Sequence, residues 1–340
     1  MSRLRKIPAT VMTGFLGAGK TTLIRHILSH AKGRRLALIV NEFGDVGVDG
    51  ELLAACGGSA CQEDDIIELA NGCLCCTVSD EFLPTMEKLL VRPLPPEHIL
   101  IETSGLALPK PLVKAFDWPE VRARVTVDGV IAVVDGPALQ TGRFESTEEE
   151  RARPDHDNPL EEVFTDQLAC ADLVVLNKID LLDADALATL RHDLSAKLRP
   201  GVRLLATEQG QVDPAVLLGL DAAAEDDLAA RPSLHDAETA HDHDDFTSFG
   251  VALPVLADPA VLVRRLPEIL AQFDILRLKG FVAVEGKAMR HVVQAVGPRV
   301  QGYYDRFWKA DEARASHVVV IGFQGLDRDA ITTALQQAAA

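Results

Sequence analysis

Thr13-Gly14-Phe15-Leu16-Gly17-Ala18-Gly19-Lys20-Thr21-Thr22 decides the fold of this chain, because it fits G-x-x-x-x-G-K-[ST] between an apolar run and a helical repeat. Ala9 to Met12 reads as a short buried strand, and beyond Lys20 the apolar residues Leu23, Ile24, Ile27 and Leu28 recur at helical spacing. Strand, glycine loop and helix in that order make a phosphate cradle. The glycines let backbone N–H groups curl around an anion and the helix N-terminus adds partial positive charge. Lys20 reaches the outer phosphates, and the Thr21 hydroxyl ligates Mg(II). Gly14, Gly17, Ala18, Gly19, Lys20, Thr21 and Thr22 are the candidate phosphate-binding residues.

From this loop outward, apolar runs alternate with helical patterns, which predicts an α/β fold with a mostly parallel, helix-flanked sheet. The strand candidates are Leu36 to Val40, Ile66 to Leu69, Ile99 to Ile101, Val130 to Val134, Leu173 to Leu176 and Arg203 to Ala206. Helices are expected at Asp80 to Leu90, Leu160 to Cys170 and Ala184 to Lys197. Residues 1–220 form this nucleotide domain, with an aperiodic acidic stretch at 141–162 read as an exposed insertion. Residues 221–245 read as an acidic, histidine-containing linker. A smaller α+β domain with an antiparallel sheet follows over 246–340: strands at Phe246 to Leu253, Ile275 to Val284, Arg290 to Val296 and Val318 to Phe323, helices at Pro259 to Leu270 and Asp327 to Gln337.

A chain of 340 residues is long enough for two cores. Its net charge of −17 is concentrated in the insertion and the linker, which carry −5 and −8 of it. The folded parts are left near neutral, which argues against nucleic-acid or anionic-membrane binding. No run of 18 apolar residues occurs, and the basic N-terminus passes into the first strand without an apolar leader, so a soluble cytoplasmic protein is expected. The six cysteines of such a chain point to metal or redox chemistry rather than disulfides.

A phosphate loop needs an acid for the Mg(II) shell, and the strand His98-Ile99-Leu100-Ile101 delivers Glu102-Thr103-Ser104-Gly105 at its C-terminal end. Glu102 fits that role by holding a metal-bound water, which makes Lys20, Thr21 and Glu102 the candidate catalytic residues, while Gly105 suits a backbone approach to the γ-phosphate. Leu173 to Leu176 leads into Asn177-Lys178-Ile179-Asp180, an N-K-x-D sequence. The acceptor-only carboxylate of Asp180 pairs with the adjacent N1 and N2 donors of guanine, which adenine lacks, so GTP is favoured over ATP. Asn41-Glu42-Phe43-Gly44-Asp45 follows the second strand, where Glu42 and Asp45 are candidates for sensing the nucleotide beside plain turn and cap roles.

Asn71-Gly72-Cys73-Leu74-Cys75-Cys76 carries three thiols in four positions. As thiolates they repel one another unless a cation neutralises them, so a divalent transition metal on Cys73, Cys75 and Cys76 is the sharp reading. Buried structural cysteines and a redox pair are the alternatives. Cys56 and Cys61 either complete a four-sulfur site or cap a loop, Cys170 on an apolar helix face belongs to the core, and His235, His241 and His243 sit in the solvated linker.

Taken in order, G-F-L-G-A-G-K-T-T-L, V-N-E-F-G, E-L-A-N-G-C-L-C-C, I-E-T-S-G and L-N-K-I-D resemble the CobW family of P-loop GTPase metallochaperones over nearly the whole chain. The resemblance implies a slow GTPase that uses GTP and Mg(II) and carries Co(II) to the cobaltochelatase of cobalamin biosynthesis. It also implies that Glu102 is the Walker B acid. A zinc chaperone handing Zn(II) to another receiving protein is the first rival, because thiolate chemistry does not select cobalt. A P-loop kinase and a thiol redox switch are the rivals of other classes. The expected mechanism is that Mg-GTP orders the loops at Asn41 to Asp45 and Gly72 to Cys76 together, and that hydrolysis relaxes them and releases the ion.

Overall fold

The computed structural model describes residues 6–30, 34–41, 66–69, 82–142, 144, 159–233, 246–296, 299–308 and 312–339. The five cysteines Cys56, Cys61, Cys73, Cys75 and Cys76, the acids Glu42 and Asp45 and the three linker histidines lie outside the described residues.

Two compact units divide the chain. The first is built on seven strands: β1 (Ile7–Thr13), β2 (Leu36–Asn41), β3 (Ile66–Leu69), β4 (His98–Glu102), β5 (Val125–Asp135), β6 (Leu173–Asn177) and β7 (Arg203–Ala206). All described pairings are parallel, in the order β3-β2-β4-β1-β5-β6-β7. β4 and β6 are buried along their whole length, as strands covered on both faces must be. Helices α1 (Lys20–Ser29), α2 (Leu83–Leu90), α3 (Pro109–Ala115), α4 (Pro119–Arg122), α5 (Gly136–Gln140), α6 (Pro159–Cys170), α7 (Ala184–Lys197) and α8 (Pro214–Leu217) connect them. A core of Val11, Ile39, Phe82, Met86, Ile99, Ile101, Leu112, Phe116 and Val127 also takes in Cys170, as its apolar helix face predicted. Burial pushes the Cys170 thiol up to about 11.

Three expectations are corrected here. β5 is longer than Val130 to Val134, because it carries a bulge: Ala9 pairs with Val127 and Thr10 with Gly129, so Asp128 is the extra residue. The carboxylate of Asp128 accepts from the N–H groups of Gly219 (2.7 Å) and Asp221 (3.0 Å). Residues 221–233, expected as linker, pack on the first unit. Glu225 is buried and accepts from Thr126 Oγ1 at 2.6 Å and Val127 N at 2.9 Å. Phe144, inside the stretch expected to be exposed, is 1 % exposed and lies between Phe15 (centroids 4.8 Å apart) and Phe164 (4.9 Å).

The second unit contains an antiparallel sheet of β8 (Phe246–Leu253), β9 (Ile275–Val282), β10 (Met289–Val296), β11 (Arg299–Phe307) and β12 (Ser316–Phe323) in the order β11-β10-β9-β12-β8. α9 (Pro259–Gln272) and α10 (Arg328–Ala339) lay Leu262, Leu266, Ile269, Ile331 and Leu335 on Leu278, Val293, Val318 and Val320 of the sheet. This is the α+β domain expected, with one further strand, β11. Among the described residues no helix is long and apolar enough to cross a membrane.

Candidate nucleotide and metal site

β1 lies between β4 and β5, so the chain leaves it at the point where the strand order reverses, the place where open α/β sheets bind ligands. Gly14, the first residue after β1, has φ +130°, and a Cβ there would fall 2.2 Å from the Val133 carbonyl oxygen. Gly19, at φ +106°, is the N-cap of α1 and supplies no side-chain cap, while the first turn carries no acid. The opening N–H groups of α1 and its dipole are therefore available to an anion. Lys20 is buried, and its Nζ donates to the Gly14 carbonyl at 2.7 Å and the Phe15 carbonyl at 3.3 Å, which holds its charge at the mouth of the loop.

β4 delivers Glu102 beside this loop, since Met12 of β1 and Val40 of β2 are both in register with it. Thr21 Oγ1 donates to Glu102 Oε1 at 2.9 Å. A hydroxyl and a carboxylate oxygen so close are hard donors of the kind Mg(II) takes, alongside phosphate oxygens and water, so the pair fits that ion. Thr103 fixes the strand end through its N–H to the Met12 carbonyl (2.9 Å) and its hydroxyl to Thr13 Oγ1 (3.1 Å). Gly105 makes its close approach to the phosphate loop itself: a Cβ there would lie 2.7 Å from the backbone N of Leu16.

N-K-x-D is fastened to the same loop. Asn177, 2 % exposed at the end of β6, donates through Nδ2 to the Ala18 carbonyl (2.9 Å) and accepts at Oδ1 from the Gly210 N–H (3.0 Å). Lys178 turns through φ 63° and its Nζ donates to the Gly17 carbonyl (2.6 Å) and to Asp135 Oδ2 (2.7 Å). Asp180 is exposed beyond them, its carboxylate accessible to the edge of a base.

Two contributors escaped the sequence reading. Asp135 ends β5; besides holding Lys178 it caps α5 by accepting from Ala138 N at 3.0 Å. Its signal was an acid closing the apolar run Val130 to Val134 ahead of Gly136-Pro137. Gln167 on α6 is fully buried and donates to the carbonyls of Gly105 and Ala107, each at 3.2 Å, bracing the segment after Glu102. No local pattern marks it, because its partners lie some sixty residues away.

The comparisons with known proteins agree with this geometry. Residues 8–206 match the family described as CobW/HypB/UreG, nucleotide-binding domain, and residues 246–339 match the cobalamin synthesis protein CobW C-terminal domain. A protein named zinc chaperone CobW from Sinorhizobium sp. is 52% identical, over 97% of this chain and 96% of its own length. Its namesake from Pseudomonas aeruginosa is 52% identical over 100% of this chain and 93% of its own. Zinc chaperone YjiA of Escherichia coli is 31% identical over 94% of this chain and 95% of its own. With both its domains matched in order and its phosphate loop, strand-end acid and N-K-x-D joined by direct hydrogen bonds, the chain belongs to the CobW/HypB/UreG family and is a P-loop GTPase.

Proposed function

We propose that the chain is a GTP-dependent metallochaperone that takes up a divalent transition ion on Cys73, Cys75 and Cys76 and surrenders it to a receiving protein when GTP is hydrolysed. Gly14 to Thr22 bind the phosphates, Asn177, Lys178 and Asp180 read guanine, and Thr21 with Glu102 holds the Mg(II) shell. The bound Mg(II) would supply charge neutralisation at the β- and γ-phosphates.

The observation that carries this reading is the strand order. β3, β2 and β4 are neighbours in register, Asn41 opposite Leu69 and Val40 opposite Glu102, so β2 and β3 end on the same C-terminal end of the sheet as the phosphate loop. Cys73 is four residues past Leu69, a reach of at most about 14 Å of extended chain, and β3 stands two strand spacings, roughly 10 Å, from β4. The proposed coupling asks the loops that follow β2 and β3 to span that distance.

Zn(II) is the favoured cargo. Thiolates hold it more tightly than Co(II), and relatives half identical to this chain are named zinc chaperones. Co(II) delivery to a cobaltochelatase in cobalamin assembly is the second reading, supported by the match of the C-terminal domain to the cobalamin synthesis protein CobW C-terminal domain. A competitive Zn(II) and Co(II) titration with Mg-GTP analogue and with Mg-GDP, using Cys73→Ala as control, tests both. Tighter metal binding in the GTP-analogue state, abolished in Cys73→Ala, is expected. Equal affinities in the two nucleotide states would remove the chaperone cycle.

A further inference from the structure

His26 and His30 stand one helical turn apart at the far end of α1, with ring centroids 4.2 Å apart and ring planes at 33°. His30 Nδ1 lies 2.8 Å from the His26 carbonyl oxygen and 3.1 Å from Ser29 Oγ. A carbonyl only accepts, so Nδ1 carries the hydrogen and Nε2 keeps its lone pair. Burial and the neighbouring His30 lower the pKa of His26, opposed in part by the Val212 backbone and the Asp213 carboxylate. Tethering one imidazole nitrogen to a backbone carbonyl is how metal sites fix the tautomer and aim the other nitrogen. Neither ring takes part in the nucleotide site, whose contacts from α1 come from Lys20 and Thr21 in its first turn.

We propose that His26 and His30 chelate one divalent transition ion of the imidazole-preferring class, with water completing its shell. Histidines at i and i+4 on a helix are a metal-binding spacing in their own right. Metal–nitrogen bonds of 2.0–2.1 Å to one ion hold the two nitrogens within about 4 Å of each other, so the rings must tilt from their present stack to converge on it. His30, exposed at the helix C-cap, can make that movement. Two neutral rings at this distance share a dication, whereas two imidazolium rings repel, so ion and protons compete for the pair. Among the described residues no group of three or more His, Cys, Asp or Glu side chains converges to hold a metal, so this is a two-ligand site of lower affinity than three thiolates provide. It does not depend on the cysteines being ligands.

α1 presents Lys20 and Thr21 in its first turn and the histidine pair at its last, so the proposed ion and the nucleotide occupy opposite ends of one helix.

The test is a calorimetric Zn(II) titration at neutral pH of the full chain carrying Cys73→Ser, Cys75→Ser and Cys76→Ser, in Mg-GDP. One equivalent is expected to bind, with affinity falling roughly tenfold or more when either His30→Gln or His26→Gln is added. GTP-analogue affinity in the absence of Zn(II) should be unchanged by either substitution, which also reports that the variants are folded. His192→Gln, on the exposed surface of α7, should leave the isotherm as it was. An isotherm unaltered by His30→Gln, or weakened as much by His192→Gln, would overturn the assignment.

Discussion

An alanine at position 19 would put its Cβ 2.3 Å from Nδ2 of Asn177, in backbone that only glycine adopts without strain. Asn177 cannot swing aside, because it is buried and held by Ala18 on one side and Gly210 on the other. Gly19→Ala should therefore lower GTP affinity by roughly tenfold or more while leaving the fold intact, the cost of about 1–3 kcal/mol that a displaced buried hydrogen bond carries; titration with a fluorescent GTP analogue reads it. A second residue acts far from the nucleotide. His98, 4 % exposed at the start of β4, has its Nε2 2.7 Å from Thr10 Oγ1 and is kept neutral by burial, which pushes its pKa down to about 4. The neighbouring Asp128 carboxylate opposes that shift and Arg34 reinforces it. Because the folded form resists protonation, the stability from a neutral His98 is complete above the ordinary value near 6.5 and is lost as pH falls from there to about 4. The loss amounts to about 3 kcal/mol. Urea unfolding of the wild type and His98→Gln across that range should show the difference between them shrinking as pH falls; a constant difference would refute the buried neutral imidazole.

At the scale of elements, Arg231 shows what binds the end of the first unit. It is 1 % exposed, donates to the Cys170 carbonyl, and pairs with Asp172 at 2.6 Å, while Asp172 also accepts from Val130 N at 2.9 Å. Arg231→Ala strips a half-buried carboxylate of its nearest cation, leaving Arg199 at 3.6 Å, and should cost about 2–3 kcal/mol. The expected reading is a melting temperature several degrees lower with GTP affinity unchanged; an unchanged melting temperature would mean that the 228–233 turn contributes nothing to the unit. Nine acids against one base over 221–245 make this segment look like a solvated linker on composition alone. Composition does not reveal that Glu225 and Arg231 each satisfy buried partners elsewhere in the chain. β11 was missed for a related reason: R-V-Q-G-Y-Y-D-R-F is an exposed edge strand, specified by its pairing with β10 rather than by its own pattern. By contrast β1, β4, β6, α1 and α7 were legible, since two-faced burial writes continuous apolar runs and one-faced burial writes a 3.6-residue repeat. The phosphate loop and N-K-x-D were legible because their chemistry is local. Asp135 and Gln167, which act by holding other site residues, were not.

For the molecule as a whole, the proposed function makes nucleotide and metal two ligands of one equilibrium, and linkage then fixes a relation that no single titration shows. If Mg-GTP analogue raises Zn(II) affinity by some factor over Mg-GDP, saturating Zn(II) must raise the preference for GTP analogue over GDP by that same factor. Couplings of this kind are typically about 5–150-fold, of order 1–3 kcal/mol. The route this proposal requires is the C-terminal end of the parallel sheet, where Thr21 and Glu102 meet and where β2 and β3 end at Asn41 and Leu69. Removing the metal-shell acid should cut that route without touching the thiols. Glu102→Gln is therefore expected to retain Zn(II) binding in the GDP state and to bring both factors together towards one. Measuring Zn(II) affinity with each nucleotide, and each nucleotide's affinity with and without Zn(II), closes the cycle for wild type and variant. Full coupling surviving in Glu102→Gln would move the switch away from this acid, and unequal factors in the wild type would mean that the two ligands do not report on a single equilibrium.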